Sequence, residues 1–197
     1  GNMPSEVDIC NLALSRIGDE ASVVSIDPPE GSIQAEHCAS FYPVARNALL
    51  ELHPWNFAVK KQSLASLGDG WDGWTYAYGM PPDFVLAINI SGDAEFSIEL
   101  NDSGNRVLLC NIENPDFRYV TSSVDPSKFS PLFVTTLSWL LASMLAGPVL
   151  KGGVGAAEAK RCEQAALPYL TMARGADAQS RKLNPKATHR PAWVRGR

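Results

Sequence analysis

Phe84-Val85-Leu86-Ala87-Ile88-Asn89-Ile90, Ser91-Gly92-Asp93-Ala94 and Glu95-Phe96-Ser97-Ile98-Glu99-Leu100 make up the stretch that decides the architecture. Phe84, Leu86, Ile88 and Ile90 alternate with Val85, Ala87, Asn89 and Ser91, and Phe96, Ile98 and Leu100 alternate with Glu95, Ser97 and Glu99. Successive side chains of a strand point to opposite faces, so a period of two predicts half-buried strands. Gly92-Asp93 and Asn101-Asp102-Ser103-Gly104-Asn105 are turn sequences of the kind that join antiparallel neighbours. With Arg106 to Ile112 and Phe117 to Thr121, they predict a small antiparallel β-meander over residues 84–121.

On either side the period lengthens to that of a helix. Ser5 is placed to cap a first helix from Glu6 to Ile17, with Asp8 three residues on; Val7, Cys10, Leu14 and Ile17 recur on one face and Gly18 supplies the stop. After a loop holding Pro28, Pro29 and Gly31, a second helix is expected from Ser32 to Leu52, with Ile33, Cys38, Phe41, Ala45, Leu49 and Leu52 as its apolar stripe. Pro43 has no amide donor, which predicts a kink or break near Ser40. Beyond the strands, Ser130-Pro131 is a cap followed by an N1 proline, opening a third helix that should end at Gly147-Pro148. The last helix is expected to start after Gly153 or Gly155, to carry Ala159, Cys162, Ala166, Tyr169 and Ala173 on one face, and to bend at Pro168. The predicted fold class is α+β, mainly α: an antiparallel bundle of about four helices with the small meander inserted between helices 2 and 3. Residues 3–180 read as one domain with a helical core at 5–60 and 130–180, and residues 181–197 as an extended C-terminal arm.

With 197 residues, 45% of them apolar and 19% charged, the chain can bury one core, or one core with a small satellite. The net charge of −4 conceals an asymmetry. Residues 1–180 hold all 21 acidic side chains against 11 Lys and Arg, a net of −10, whereas residues 181–197 hold six cations and no anion. That segment has Pro185, Pro191 and few apolar side chains besides Trp193 and Val194, so it cannot fold alone and is expected to seek a partner. The uncharged run from Phe129 to Leu150 raises the question of a membrane. A helix from Pro131 to Ala146 would be about 24 Å long, short of a hydrocarbon core of roughly 30 Å, and it carries Thr135, Thr136, Ser138 and Ser143. A central helix covered by its own chain or by neighbouring copies is therefore expected, and no membrane partner. Residues 3–20 carry acidic groups where a secretory signal has a basic start and an apolar run, so no signal peptide is expected.

Signatures of catalysis and metal binding fail against these residues. Gly68-Asp69-Gly70-Trp71-Asp72-Gly73 has the spacing of a dinucleotide loop, but an aromatic run and Pro81-Pro82 follow where a helix should start. The glycines from Gly147 to Gly153 lack the Lys-Ser or Lys-Thr of a phosphate loop. His37, His53 and His189 have no metal-ligand spacing. Cys10, Cys38, Cys110 and Cys162 form no C-x-x-C pair and read as small buried hydrophobes in a reducing compartment. The carboxylate pairs Asp69 with Asp72 and Glu95 with Glu99 have the composition a glycosidase needs, but solvated turn and strand faces account for both. No enzyme, cofactor or metal is expected. Trp55, Phe57, Trp71 and Trp74 are expected to be mostly buried.

One family resemblance spans the chain from Ile9 to about Arg181. Its pieces are the first-helix run Ile9 to Gly18, Ala35 with Cys38 and Tyr42, Arg46 to Leu50, His53-Pro54-Trp55-Asn56-Phe57-Ala58, Leu64-Ala65 and Tyr78-Gly79-Met80-Pro81-Pro82-Asp83. Phe117-Arg118-Tyr119-Val120 before Asp125 follow, then Phe133, Leu140 to Ala142, and Ala173 with Asp177 and Ala178. In order and spacing the chain resembles the head-to-tail adaptor (connector) proteins of short-tailed phages, also called tail tubular protein A. Pro168 and a short strand insert set it apart from the larger members. The resemblance implies a structural virion protein of a phage or prophage, sited at the neck of the tail after assembly in the host cytoplasm. Such proteins form a twelve-fold ring under the portal protein, extend the DNA channel and provide the platform for the tail nozzle protein. Double-stranded DNA would pass without specific binding, because an acidic body repels phosphates. The basic arm would dock on the portal through Arg181, Lys182, Lys186, Arg190, Trp193 and Arg195. A nucleic-acid-binding module acting through the same arm and a peptidoglycan-cleaving virion enzyme are the alternative readings.

Overall fold

The computed structural model describes residues 4–20 and 22–182. Residues Leu50–Val124 form one compact unit, built of strands, and the chain on either side of them forms a second, built of helices.

Helix α1 (Glu6–Arg16) starts as its sequence dictates. Ser5 Oγ accepts from the Asp8 N–H at 3.1 Å and the Asp8 carboxylate accepts from the Ser5 N–H at 3.0 Å, satisfying two amides that a helix start leaves orphaned. Gly18, at φ 78°, turns the chain so that the Asp19 N–H donates to the Leu14 carbonyl at 3.0 Å. Helix α2 (Ile33–Glu51) is capped by Ser32, whose Oγ accepts from the Ala35 N–H at 3.1 Å, and it runs through Pro43 without the break that proline suggested. Ala35, Cys38, Tyr42, Ala45 and Leu49 are buried at a 3-4-3-4 spacing that marks one helical face, and Leu50 is buried beside them. Ile33 and Leu52, placed in that stripe by their hydropathy, are instead exposed. Cys38, Ala45 and Leu49 of the expected stripe are buried, so the side was read correctly over the middle of the helix and misassigned at Ile33 and Leu52, its two ends.

Helix α3 (Pro131–Leu150) opens with Ser130 Oγ accepting from the Phe133 N–H at 3.2 Å. It does not stop at Gly147-Pro148, because Pro148 falls in the last turn and withholds only one donor, the one the Met144 carbonyl would receive. The helix ends at Lys151, whose φ is 61° and whose N–H donates to the Gly147 carbonyl at 2.9 Å. The hydroxyls that break its apolar run are satisfied within it: Thr136 donates to the Leu132 carbonyl at 2.7 Å and Ser138 to the Thr135 carbonyl at 2.7 Å. Helix α4 (Gly152–Lys182) begins directly after the turn and packs closely along α3, which also packs along α1. By length α3 spans about 30 Å and α4 about 46 Å. Helix α3 therefore exceeds its expected length of about 24 Å and is long and apolar enough to cross a membrane, with half of its most apolar window buried within the protein. Trp139 of α3 clamps the three together: the Arg16 guanidinium lies 4.5 Å from its ring centre, that of Arg161 lies 5.6 Å away, and Arg161 donates to the Arg16 carbonyl at 2.7 Å. The expected face of α4 holds, with Cys162, Ala166 and Ala173 buried.

The strand unit overturns the expected fold class. Seven strands, β1 (Val59–Ser63), β2 (Ser66–Asp69), β3 (Tyr76–Gly79), β4 (Phe84–Ile90), β5 (Phe96–Leu100), β6 (Arg106–Cys110) and β7 (Asp116–Thr121), form two antiparallel sheets ordered β1-β7-β4 and β2-β3-β6-β5. The molecule is therefore not a helical bundle with a small meander between helices 2 and 3. It holds a four-helix unit, in which α2 makes no close lengthwise pairing with another helix among the described residues, and a second unit of two sheets. The four strands read from the alternation are present, but only β5 and β6 are neighbours as a meander requires. β4 pairs with β7, and Ser91–Asp93 forms a single 3-10 turn that carries the chain from one sheet to the other. β1, β2 and β3 gave no signal: Val59-Lys60-Lys61-Gln62-Ser63 has one apolar residue, and β2 is exposed along its length. The sheets meet over Tyr78, Leu108 and Cys110 on one side and Ile90, Phe117 and Tyr119 on the other. Phe117 sits at the centre, stacked on Tyr119 at 5.1 Å and edge-on to Phe96 at 6.3 Å.

Candidate interaction surfaces

The helical unit leaves apolar side chains in solvent on two helices. On α2, Ile33 is 67% and Val44 55% exposed. They stand eleven residues apart, about three turns, with Ser40 exposed between them and Glu51, eighteen residues from Ile33, exposed on the same side. On α4, Val154 is 67% and Met172 47% exposed, eighteen residues or about five turns apart on one side of the helix, with the Arg161–Glu158 ion pair between them. These residues escaped sequence reading because Ile33 was assigned inward and α4 was judged by its buried seam alone.

The features that suggested chemistry resolve into packing. The glycine-rich segment is the hairpin between β2 and β3, so a strand follows it and no helix start is available for a phosphate. Gly70 is there because a Cβ would stand 2.4 Å from the Trp74 carbonyl oxygen. Trp71 and Trp74 are half-buried, packed over Ala77, Val107 and Leu109 on the outer face of the four-stranded sheet, while Trp55 is fully buried. Glu99 accepts from Trp71 Nε1 at 3.2 Å and from Ser97 Oγ at 3.0 Å, which gives that carboxylate a structural task. His37 stacks on Phe41 with ring centres 6.3 Å apart, and His53 meets Trp55 edge-on at 4.7 Å. Among the described residues no cluster of three or more His, Cys, Asp or Glu side chains could hold a metal.

Asp83 is the most heavily bonded carboxylate of the strand unit. It accepts from Thr121 Oγ1 at 2.6 Å, Tyr119 Oη at 2.8 Å and Lys60 Nζ at 3.3 Å. Burial alone would raise its carboxyl, but the donors Thr121, Tyr119 and Lys60 outweigh it and hold the group below the ordinary carboxylate value. Glu30, Asp125 and Glu158 are likewise displaced downward, by hydrogen bonds led by Ser32, the Ser127 amide and Arg161 respectively. A general acid needs the opposite displacement.

Of the residues assigned to the C-terminal arm, Arg181 and Lys182 are the last two of α4. Lys186, Arg190, Trp193 and Arg195 lie outside the described residues. No family model and no curated protein matches the sequence.

Proposed function

We propose that this chain is a head-to-tail adaptor of a short-tailed phage or prophage, a structural virion protein that assembles as a ring under the portal, extends the DNA channel and carries the tail nozzle. The observation that carries the reading is the exposure of large apolar side chains on two separate helices, Ile33 and Val44 on α2 and Val154 and Met172 on α4. A closed ring requires each subunit to offer two different patches that complement each other, and apolar side chains on two separate helices supply them. The net charge of −10 over residues 1–180 suits a channel wall that does not hold passing duplex. The six cations of residues 181–197, with Trp193 as anchor, suit docking onto an acidic groove of the portal. The resemblance in ordered pieces from Ile9 to Arg181 supports the same assignment.

The test is assembly on the cognate portal ring, viewed by electron microscopy. The full chain should add a ring of density beneath the portal, and a chain lacking residues 181–197 should fold but fail to attach. Attachment undiminished by the deletion would remove the arm from the proposal, and failure of the full chain to bind any portal surface would remove the adaptor reading itself.

A further inference from the structure

A cavity of about 470 Å3 opens at one end of the strand unit, between the exposed Leu67 of β2, the segment joining β3 to β4 and the turn joining β5 to β6. Met80, Pro81 and Phe84 give it apolar walls, and Arg106 is the single charged side chain that lines it. Arg106 alternates along β6 with Leu108 and Cys110, which face the other sheet, so it stands on the same inward side of the strand. The position where the apolar core would continue is thus held by a guanidinium, 5.7 Å from the Phe84 ring centre.

Nothing on the protein neutralises that charge. Among the described residues the Arg106 guanidinium enters no ion pair and no hydrogen bond. Asp83, between two wall residues in sequence, engages its carboxylate with Thr121, Tyr119 and Lys60, and Asp102 lines a second cavity beside Trp71 and Leu100. The wall holds a further donor. Asn101 Oδ1 accepts from the Ser103 N–H at 3.0 Å and the Asn105 N–H at 2.9 Å, which fixes the side-chain amide and leaves its NH2 with no partner among the described residues. One cation, side-chain amides and no anion therefore stand beside apolar surface, and those groups select the ligand. A cation is repelled by Arg106, and a wholly apolar molecule strips the guanidinium of water without replacing it. A planar carboxylate matches the guanidinium fork through two parallel hydrogen bonds, and its one charge answers one charge, whereas a phosphate dianion stays half uncompensated. The apolar walls call for a tail, and the volume lies in the range of small-molecule sites.

We propose that this cavity binds a small organic monocarboxylate with an apolar tail. The Arg106 guanidinium holds the carboxylate, the Asn101 amide donates to the same group, and Leu67, Met80, Pro81 and Phe84 cover the tail. The site lies wholly within the strand unit, and the inference does not rest on the adaptor reading.

Saturation-transfer NMR and titration calorimetry on the full chain test it, with sodium 3-phenylpropanoate as the probe. The probe should bind saturably. 3-Phenylpropanamide keeps the tail without the charge and acetate keeps the charge without the tail, and each should bind at least about tenfold more weakly. Arg106→Gln should weaken binding of the carboxylate about tenfold and leave that of the amide unchanged, a pattern that lost packing on Phe84 would not give. Arg106→Lys should restore part of the affinity. Leu67→Ser, at a side chain 55% exposed, should weaken both ligands about twofold and leave the melting temperature unchanged. N-acetyl-glycyl-phenylalanine presents the same carboxylate at the end of a peptide, and binding about tenfold tighter than that of 3-phenylpropanoate would make the occupant a chain terminus and overturn the small-molecule assignment. Equal affinities for acid and amide, or wild-type affinity in Arg106→Gln, would show that Arg106 only packs on Phe84, and the proposal fails.

Discussion

Asp83 shows how much one side chain can organise. Its carboxylate gathers β1 through Lys60 and β7 through Tyr119 and Thr121, and its backbone carbonyl accepts from the Ser122 N–H at 2.9 Å, so the start of β4 is tied to β7 and the residue after it at three points and to β1 at a fourth. Tyr119 is fully buried and Thr121 nearly so, so Asp83→Ala leaves two hydroxyls without an acceptor. The expected loss is about 2–4 kcal/mol, read as a lower urea midpoint for the strand unit. The folded carboxyl sits below its ordinary value of 3.8, so its contribution is complete above that value and is lost as pH falls below about 4 toward the depressed folded value. Stability of the wild type should therefore decline in that acid window more steeply than that of Asp83→Asn. Equal slopes for the two proteins between about pH 5 and pH 2.5 would show that Asp83 is not held as described. The residue was legible in sequence only as part of Pro81-Pro82-Asp83, because its three donors lie 23 to 38 positions away.

At the scale of elements, α3 and α4 depend on close approach. A Cβ on Gly155 would stand 2.9 Å from the Ala146 carbonyl oxygen and 3.3 Å from the Gly147 backbone, groups that cannot move without bending α3. Gly155→Ala should therefore cost about 1–3 kcal/mol through overpacking. Gly153 is two residues away in the same helix, and a Cβ there would meet nothing within 4 Å, so Gly153→Ala should stabilise by about 0.4–1 kcal/mol through the unfolded chain. Thermal melts of the pair give opposite signs if the two helices touch there, and the same sign if they do not. Helix starts were readable because caps are local: Ser5 with Asp8, and Ser130 with Pro131, act within a turn of their own position. Helix ends near proline were not, because a missing donor at Pro43 or Pro148 weighs one hydrogen bond against the packing of the whole helix.

For the whole molecule, the adaptor reading predicts that the exposed apolar side chains on α2 and α4 matter to assembly and little to folding. Val44→Glu and Met172→Glu replace side chains 55% and 47% exposed, so each should shift stability by no more than about 0.5 kcal/mol. Each should nonetheless block ring formation on the portal, and rings of normal appearance from both variants in electron micrographs would count against these faces. By itself the sequence determined the features set by neighbours along the chain: the presence of four helices, the N-caps of α1 and α3, the strands at 84–90, 96–100, 106–110 and 116–121, and the charge asymmetry of the C-terminal segment. Periodicity reports which side of an element is apolar, and that is local information. Only the tertiary structure decided that β4 pairs with β7, that Val59–Ser63, Ser66–Asp69 and Tyr76–Gly79 are strands, and that two sheets form a unit of their own. Strand pairing is a choice among distant partners, and the edge strands β1 and β2 need no hydrophobic pattern of their own, while the central β3 is too short to show one. The place of each is set by the ladder of the strand beside it.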